Sequence, residues 1–322
     1  MATTFYHQIA ANRRNSVLLA GLVALLLAAL GFVIGYLVSG RPGGAVAVTL
    51  FAVVLAVVMS VGAYFGGDRL VLAASGAKPV DERAAPQLLN VVRELSIAAN
   101  IPMPKVYLID DTAPNAFATG RDPAHASIAV TRGLLEKLDR EELQGVIAHE
   151  LSHIRNFDIR FALLVGVLVG SVALLADLFL RWTWWTGGRR SDRRGGGGGA
   201  ALLFVIAVIL AIVAPLAARL VQLAVSRQRE YLADASSVEL TRNPYGLQRA
   251  LAKIALDREP LEVANRATQH LYFANPIKKW EERSSSLWST HPPIIDRINR
   301  LRQLTGEPPL RPEEARVLAG LD

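Results

Sequence analysis

Cysteine is missing altogether from the 322 residues, which excludes a disulfide framework, thiol catalysis and every zinc or iron–sulfur site with a thiolate ligand. A metal site in this chain can draw only on His, Asp and Glu. No internal repeat at a spacing of roughly 20 to 50 residues is present, so repeat architectures have no support. What the chain has in excess is apolar surface. Hydrophobic residues make up 52% of it and its mean hydropathy is +0.29, too high for a typical soluble enzyme. A net charge of +7 would by itself suit nucleic acid or an anionic membrane surface. With this apolar content the membrane surface is the better fit, and no nucleic-acid partner is expected.

Four apolar segments organise the chain. Ser16 to Val38 and Ala45 to Phe65 carry no charge, and each is long enough to cross roughly 30 Å of hydrocarbon at about 1.5 Å per residue. Phe161 to Leu180 is interrupted only by Asp177, and Ala200 to Ala218 contains Pro215. The first segment has no Ala-x-Ala exit before a polar chain, which favours a retained anchor over a cleaved signal. The expected organisation is a transmembrane hairpin over residues 1–65, a first catalytic part over 66–160, a second hairpin over 161–223 and a second catalytic part over 224–322. The stretch 186–199, with four arginines and five consecutive glycines, lacks any apolar period and reads as a mobile loop.

Within the first polar part, Leu88, Val91, Val92 and Leu95 have the spacing of an amphipathic helix over Pro79 to Ala99. Lys105 to Ile109, Ala116 to Thr119 and Ser127 to Val130 are short runs bounded by Pro, Asn, Gly and Asp, the pattern of strands in a small sheet. Asp139 followed three residues later by Glu142 is a helix-start signal, after which Leu143, Ile147, Leu151 and Ile154 mark one apolar stripe.

That helix contains His149-Glu150-Leu151-Ser152-His153, an H-E-x-x-H sequence. Residues i and i+4 share a helix face, so both imidazoles can reach one cation, while Glu150 beside them can bond to a water there. A hydrolytic zinc site needs a third protein ligand and one open position. After the fourth apolar segment, Glu230 and Asp234 are again i and i+4 on one helical face. One of them can ligate while the other orients a ligand histidine by accepting its second N–H. Two crossings lie between His153 and Glu230, an even number, so the two segments emerge on the same side of a bilayer and the site can assemble close to its surface.

The succession of two apolar segments, H-E-x-x-H, two more segments, Ser226-Arg227-Gln228-Arg229-Glu230-Tyr231-Leu232-Ala233-Asp234 and then Thr290-His291-Pro292-Pro293 resembles the HtpX-type integral-membrane zinc metalloproteases, relatives of the CAAX prenyl proteases. The likeness extends to the stretches from Pro114 to Gly120 and from Ala129 to Leu135. It implies a mostly α membrane protein with four transmembrane helices and an α+β zincin-like (gluzincin) catalytic domain. It further implies one Zn2+ per subunit on His149, His153 and Glu230, with Glu150 as general base and Asp234 orienting a ligand. Asn115, Ala116 and Phe117 would be the edge strand on which an extended substrate lies by main-chain pairing. His291 would stabilise the oxyanion; read from the residues alone, it could equally be a helix-start residue packed under Ile294 and Ile298.

Lys and Arg near the segment ends bear on orientation. Arg13, Arg14, Arg69, Lys78, Arg155, Arg160, Arg227 and Arg229 flank the side with the catalytic parts, against Arg41 alone in the first hairpin. The second hairpin runs the other way, with Arg181, Arg189, Arg190, Arg193 and Arg194. The first hairpin usually dominates, which places the catalytic parts in the cytoplasm, at the inner face of a bacterial plasma membrane. The resemblance implies hydrolysis of damaged or misfolded membrane proteins, in quality control and stress response. The alternatives are a prenyl-peptide (CAAX-type) protease, a catalytically silent zinc-binding scaffold, and a metal transporter, which would need ligands inside the segments, where Asp177 is the one carboxylate.

Overall fold

The computed structural model describes residues 5–187, 198–257, 259, 261, 272–273, 292–311 and 314–321. The chain is mostly helical, with one small sheet. The four apolar segments lie within α1 (Phe5–Ser39), α2 (Pro42–Ala74), α6 (Asp158–Gly187) and α7 (Gly198–Thr241). Among the described residues no helix is long and apolar enough to cross a membrane. Of the expected loop 186–199, residues 188–197 lie outside the described residues, and the flanking helices reach Gly187 and start at Gly198.

Two compact units make up the chain. One comprises Ala10–Ala63 and Leu163–Gln222, the other Met1–Ile9, Tyr64–Ala162 and Leu223–Asp322. In the first, small residues let α1 and α2 approach closely. A Cβ on Gly35 would stand 2.8 Å from Val48 Cβ and 2.9 Å from Ala45 Cα, so glycine there is what permits the packing. Leu27, Leu30 and Ile34 line the buried side with Ala45, Ala52 and Ala56, whereas Leu50, Phe51, Val54 and Val58 stay exposed.

The second unit holds the sheet and the H-E-x-x-H helix. Its strands are β1 (Lys78–Pro79), β2 (Lys105–Ile109), β3 (Ala116–Gly120) and β4 (Ala126–Thr131), in the order β1-β2-β4-β3. β2 and β4 pair in parallel, and the two outer strands pair antiparallel with their neighbours. The three strands read from the sequence are thus present within a residue or so. The helix expected from Pro79 starts later, as α3 (Pro86–Ala99). Pro79 pairs with Tyr107 in β1, and the Asp81 carboxylate accepts from the backbone N–H groups of Arg83 and Ala84 at 2.8 Å each. That turn uses residues 81–84, and Pro86 then occupies a first-turn position where its missing N–H costs nothing.

Helix α5 (Arg140–Arg155) begins with the expected reciprocal cap: Asp139 accepts from Glu142 N at 2.9 Å, and the Glu142 carboxylate accepts from Asp139 N at 2.8 Å. Lys253 Nζ, on α8 (Pro244–Leu256), donates to the same Glu142 at 2.7 Å. Leu143, Ile147, Leu151 and Ile154 are all buried, in one core with Leu88, Val91, Val92 and Leu95 of α3, Ile128 and Val130 of β4, and Leu247, Leu251 and Ile254 of α8. Ile298 and Leu301 of α9 (Ile294–Thr305) join them. Gly145 brings α5 and α8 together, since a Cβ there would meet Leu247 N at 2.7 Å. The sheet, α3, α8 and α9 therefore grip α5 from several sides and fix the direction of its polar face.

Candidate metal centre

His149 and His153 sit one turn apart on α5, the first fully buried and the second partly so. Their Nε2 atoms lie 3.1 Å from each other. Glu230, from α7, brings its carboxylate to 3.5 Å from His149 Nε2 and 3.4 Å from His153 Nε2. One ligand atom from each of these three side chains lies within 4.8 Å of the others, a group able to hold a metal ion. Asp234, one turn beyond Glu230, goes to the opposite side of the ring, 2.9 Å from His149 Nδ1. The two acidic residues of α7, equivalent in the sequence, thus address different nitrogens.

His153 has its own carboxylate, which the sequence reading did not find. Asp158 Oδ2 lies 3.0 Å from His153 Nδ1. It returns to the helix it has just left because α5 ends at Asn156 and Phe157 adopts φ 60°, an uncommon and costly conformation for a bulky side chain. With each Nδ1 donating to a carboxylate, both Nε2 atoms present lone pairs to one point. Two lone pairs at 3.1 Å repel unless a cation or a proton stands between them, and two imidazoles with one carboxylate match the ligand preferences of zinc. The residues therefore fit the metal. Burial by itself would lower the His153 pKa, but hydrogen bonds to Asp158 and Glu230 outweigh it and push it up to about 10. Without a metal, this cluster holds a proton.

Glu150 is 2% exposed. Its burial raises the carboxyl above the ordinary value of 4.5, against the opposing pull of His149 and His153. Asp234 shows the reverse balance: burial would raise it, but the Arg297 guanidinium and the His149 hydrogen bond hold it below the ordinary 3.8.

Arg297 of α9 also escaped the sequence reading. It is fully buried and forms a two-pronged pair with Asp234, Nε to Oδ2 at 2.9 Å and Nη2 to Oδ1 at 2.7 Å. Its Nη1 donates to the Phe273 carbonyl at 3.0 Å and lies 3.6 Å from Glu230. The available signal was its phase: on α9 it shares a face with Ile294, Ile298 and Leu301, a core position that an arginine occupies only with a partner. Losing one member of such a buried pair costs about 3–5 kcal/mol.

Asn115, just before β3, and Ala116 and Phe117 at its start are buried, on one of the two outer strands of the sheet. That edge is occupied. Phe273 N donates to the Ala116 carbonyl at 2.7 Å, and Tyr272 forms an antiparallel bridge with Phe117, their rings 5.1 Å apart. The Phe273 ring stands edge-on to His149 at 4.9 Å. His291 lies outside the described residues; α9 begins at Ile294 with Pro293 as its cap.

Comparison with known proteins places the chain in a family. The model of peptidase family M48 matches residues 82–305. A protein named "Protease HtpX homolog" from Caldanaerobacter subterraneus subsp. tengcongensis is 44% identical over 303 residues, covering 94% of this chain and 98% of that protein. One of the same name from Streptococcus agalactiae serotype III is 47% identical over 301 residues, covering 93% and 99%. Among solved structures, S. mikatae Ste24p matches with a TM-score of 0.47 and 18% identity, over 91% of this chain and 66% of that one. With a family model spanning most of its length and relatives of this identity end to end, the chain belongs to peptidase family M48 and is a metalloprotease.

Proposed function

We propose that the chain is a four-span membrane zinc endopeptidase that cuts damaged or misfolded membrane proteins at the cytoplasmic face of a bacterial plasma membrane. The observation that carries the catalytic part of this reading is the convergence of His149 Nε2, His153 Nε2 and the Glu230 carboxylate on one point. The membrane part is supported by the four uncharged or nearly uncharged runs and by exposed Leu50, Phe51, Val54 and Val58 on α2, an apolar face that suits lipid better than water. Residues 1–65 and 161–223 would be the hairpins in the bilayer, and 66–160 with 224–322 the catalytic domain.

His149, His153 and Glu230 would hold a zinc ion, which would supply Lewis acidity for peptide-bond hydrolysis. Glu150 would accept a proton from the attacking water on a carboxylate oxygen and later deliver it to the leaving amine nitrogen. Its buried setting, which favours the protonated carboxyl, suits a group that must keep the proton between the two steps. Asp234 holds His149 with its proton on Nδ1, leaving Nε2 as the ligand atom. His291, by the T-H-P-P motif, donates a hydrogen bond to the carbonyl oxygen as it gains charge. An extended substrate would pair along Asn115, Ala116 and Phe117, which requires Phe273 to release the Ala116 carbonyl.

The test is cleavage of an unfolded casein-like substrate by the detergent-purified protein, with zinc content measured on the same samples, for wild type beside Glu150→Gln. Zinc in both and cleavage in wild type alone is the expected result, with a loss of at least about a hundredfold in the variant. A Glu150→Gln protein that cleaves at the wild-type rate refutes the mechanism. Zinc in both with cleavage in neither favours a silent scaffold.

A further inference from the structure

The two histidines of the centre are held in the same way, each by a carboxylate backed by a buried arginine: Arg229 and Asp234 lie on α7, Asp158 on α6 and Arg297 on α9. His149 Nδ1 meets Asp234 at 2.9 Å, and Asp234 is gripped by Arg297 through two bonds. His153 Nδ1 meets Asp158 at 3.0 Å, and Asp158 is gripped by Arg229, Nε to Oδ1 at 2.8 Å, with Nη2 also donating to the Asp158 carbonyl. Arg297 is 0% and Arg229 6% exposed. Each guanidinium lies over an aromatic ring, Arg297 at 4.6 Å from the Phe273 centroid and Arg229 at 4.4 Å from that of Phe161. A planar fork gripped on one edge by a carboxylate and covered on one face by a ring has little freedom to rotate, and it passes that restriction to the carboxylate.

We propose that Arg297 and Arg229 are positioning residues which, through Asp234 and Asp158, aim the Nε2 atoms of His149 and His153 at a shared metal ion. The inference rests on the zinc reading above. Neither arginine touches the reacting atoms; each acts on a carboxylate that acts on a ring, and Arg297 also lies 3.6 Å from Glu230 and 3.4 Å from His149 Nδ1. The competing role is plain neutralisation of two buried carboxylates, for which any cation in the same place would serve. The two roles part at lysine. Lysine keeps the charge and loses the planar fork, so a neutralising arginine is replaceable by it and an aiming one is not.

The experiment therefore uses Arg297→Lys and Arg229→Lys in the full-length protein, with Arg300→Lys as control, since Arg300 stacks on Tyr231 outside both relays. Zinc content and the rate of zinc loss to a chelator are read, together with the visible absorption of the cobalt-substituted protein, which reports ligand geometry without reference to turnover. Folding is checked by circular dichroism and gel filtration. The expected result is that both variants fold and bind metal but release zinc about 10- to 100-fold faster, with a shifted cobalt spectrum, while the control matches wild type. Folded lysine variants with wild-type release and spectrum overturn the proposal. If a lysine variant does not fold, the glutamine variant at that position removes both charge and fork, so a folded glutamine protein with wild-type zinc release and cobalt spectrum overturns the proposal there, and failure of both to fold assigns that arginine to structure alone. A wild-type protein that takes up no metal overturns the zinc reading itself, a result distinct from metal-binding variants that behave as wild type.

Discussion

Adding one methyl group at Gly145 is the sharpest test of how the centre is held. The residue lies on α5 one turn before His149, and a Cβ there would stand 2.7 Å from Leu247 N, 2.8 Å from Leu247 Cα and 3.1 Å from Leu247 Cβ. Two of those neighbours are backbone atoms of α8, so no side-chain rotation relieves the clash; α5 and α8 must separate. Such overpacking costs about 1–3 kcal/mol, and backbone contacts this short place it in the upper half of that range. The helix-propensity gain of alanine over glycine returns only about 0.5–1 kcal/mol. Gly145→Ala should therefore be destabilised by roughly 1–2.5 kcal/mol, a fall in Tm of about 2–10 °C for a unit of this size. Gly66→Ala on α2 is the matched control, because nothing lies within 4 Å of its added Cβ; there the propensity gain stands alone, and the Tm should hold or rise. Thermal unfolding of the zinc-free proteins in one detergent reads both. Wild-type or higher stability for Gly145→Ala would falsify the claim that close α5–α8 contact sets the position of the metal-binding helix.

Zinc uptake should expel a proton. With His153 pushed up to about 10, the metal-free centre is protonated at pH 7, and zinc must displace that proton to use Nε2. Calorimetric titration in buffers of different ionisation enthalpy should show close to one proton released from this site near pH 7, falling toward none above about pH 10. Release that does not depend on pH over this range would contradict the shared-proton geometry. Asp234 carries the opposite sign. Its folded pKa is depressed below the ordinary 3.8, so its contribution to stability is present above about pH 3.8 and is lost as pH falls through the folded value. The Tm gap between wild type and Asp234→Asn should thus be widest near neutral pH and shrink in acid; a gap that widens below pH 4 would show that the pairing with Arg297 does not dominate.

Much of the catalytic unit was legible because its signals are local. The cap at Asp139 and Glu142, the apolar stripe from Leu143 to Ile154 and the i, i+4 spacing of His149 and His153 all act within a few helical turns, where geometry follows from periodicity. The same holds for the strands at 105, 116 and 126, whose ends are marked by turn residues. The boundary at Pro79 was misplaced because a hydrophobic period cannot distinguish a helix from the turn and strand pairing that precede it; Tyr107, far along the chain, takes Pro79 into the sheet.

What the sequence determined by itself is the chemistry: histidine and carboxylate ligands by the absence of cysteine, their helical phase, and four apolar runs between which the ligands are distributed. Residue pattern alone does not say who partners whom; the family resemblance separates the roles of Glu230 and Asp234, and the tertiary structure supplies the contacts. Glu230 and Asp234 are alike as i, i+4 acids, and only the approach of α7 to α5 sends one to the Nε2 atoms and the other to Nδ1. Asp158 reaches His153 through a single left-handed residue, Arg297 arrives from a helix more than 60 residues beyond Asp234, and Tyr272 with Phe273 covers the edge at Ala116 and Phe117. These contacts join residues with no shared period, so no local pattern encodes them; they exist because a buried charge or an unpaired strand edge must find its partner wherever the packed chain brings one.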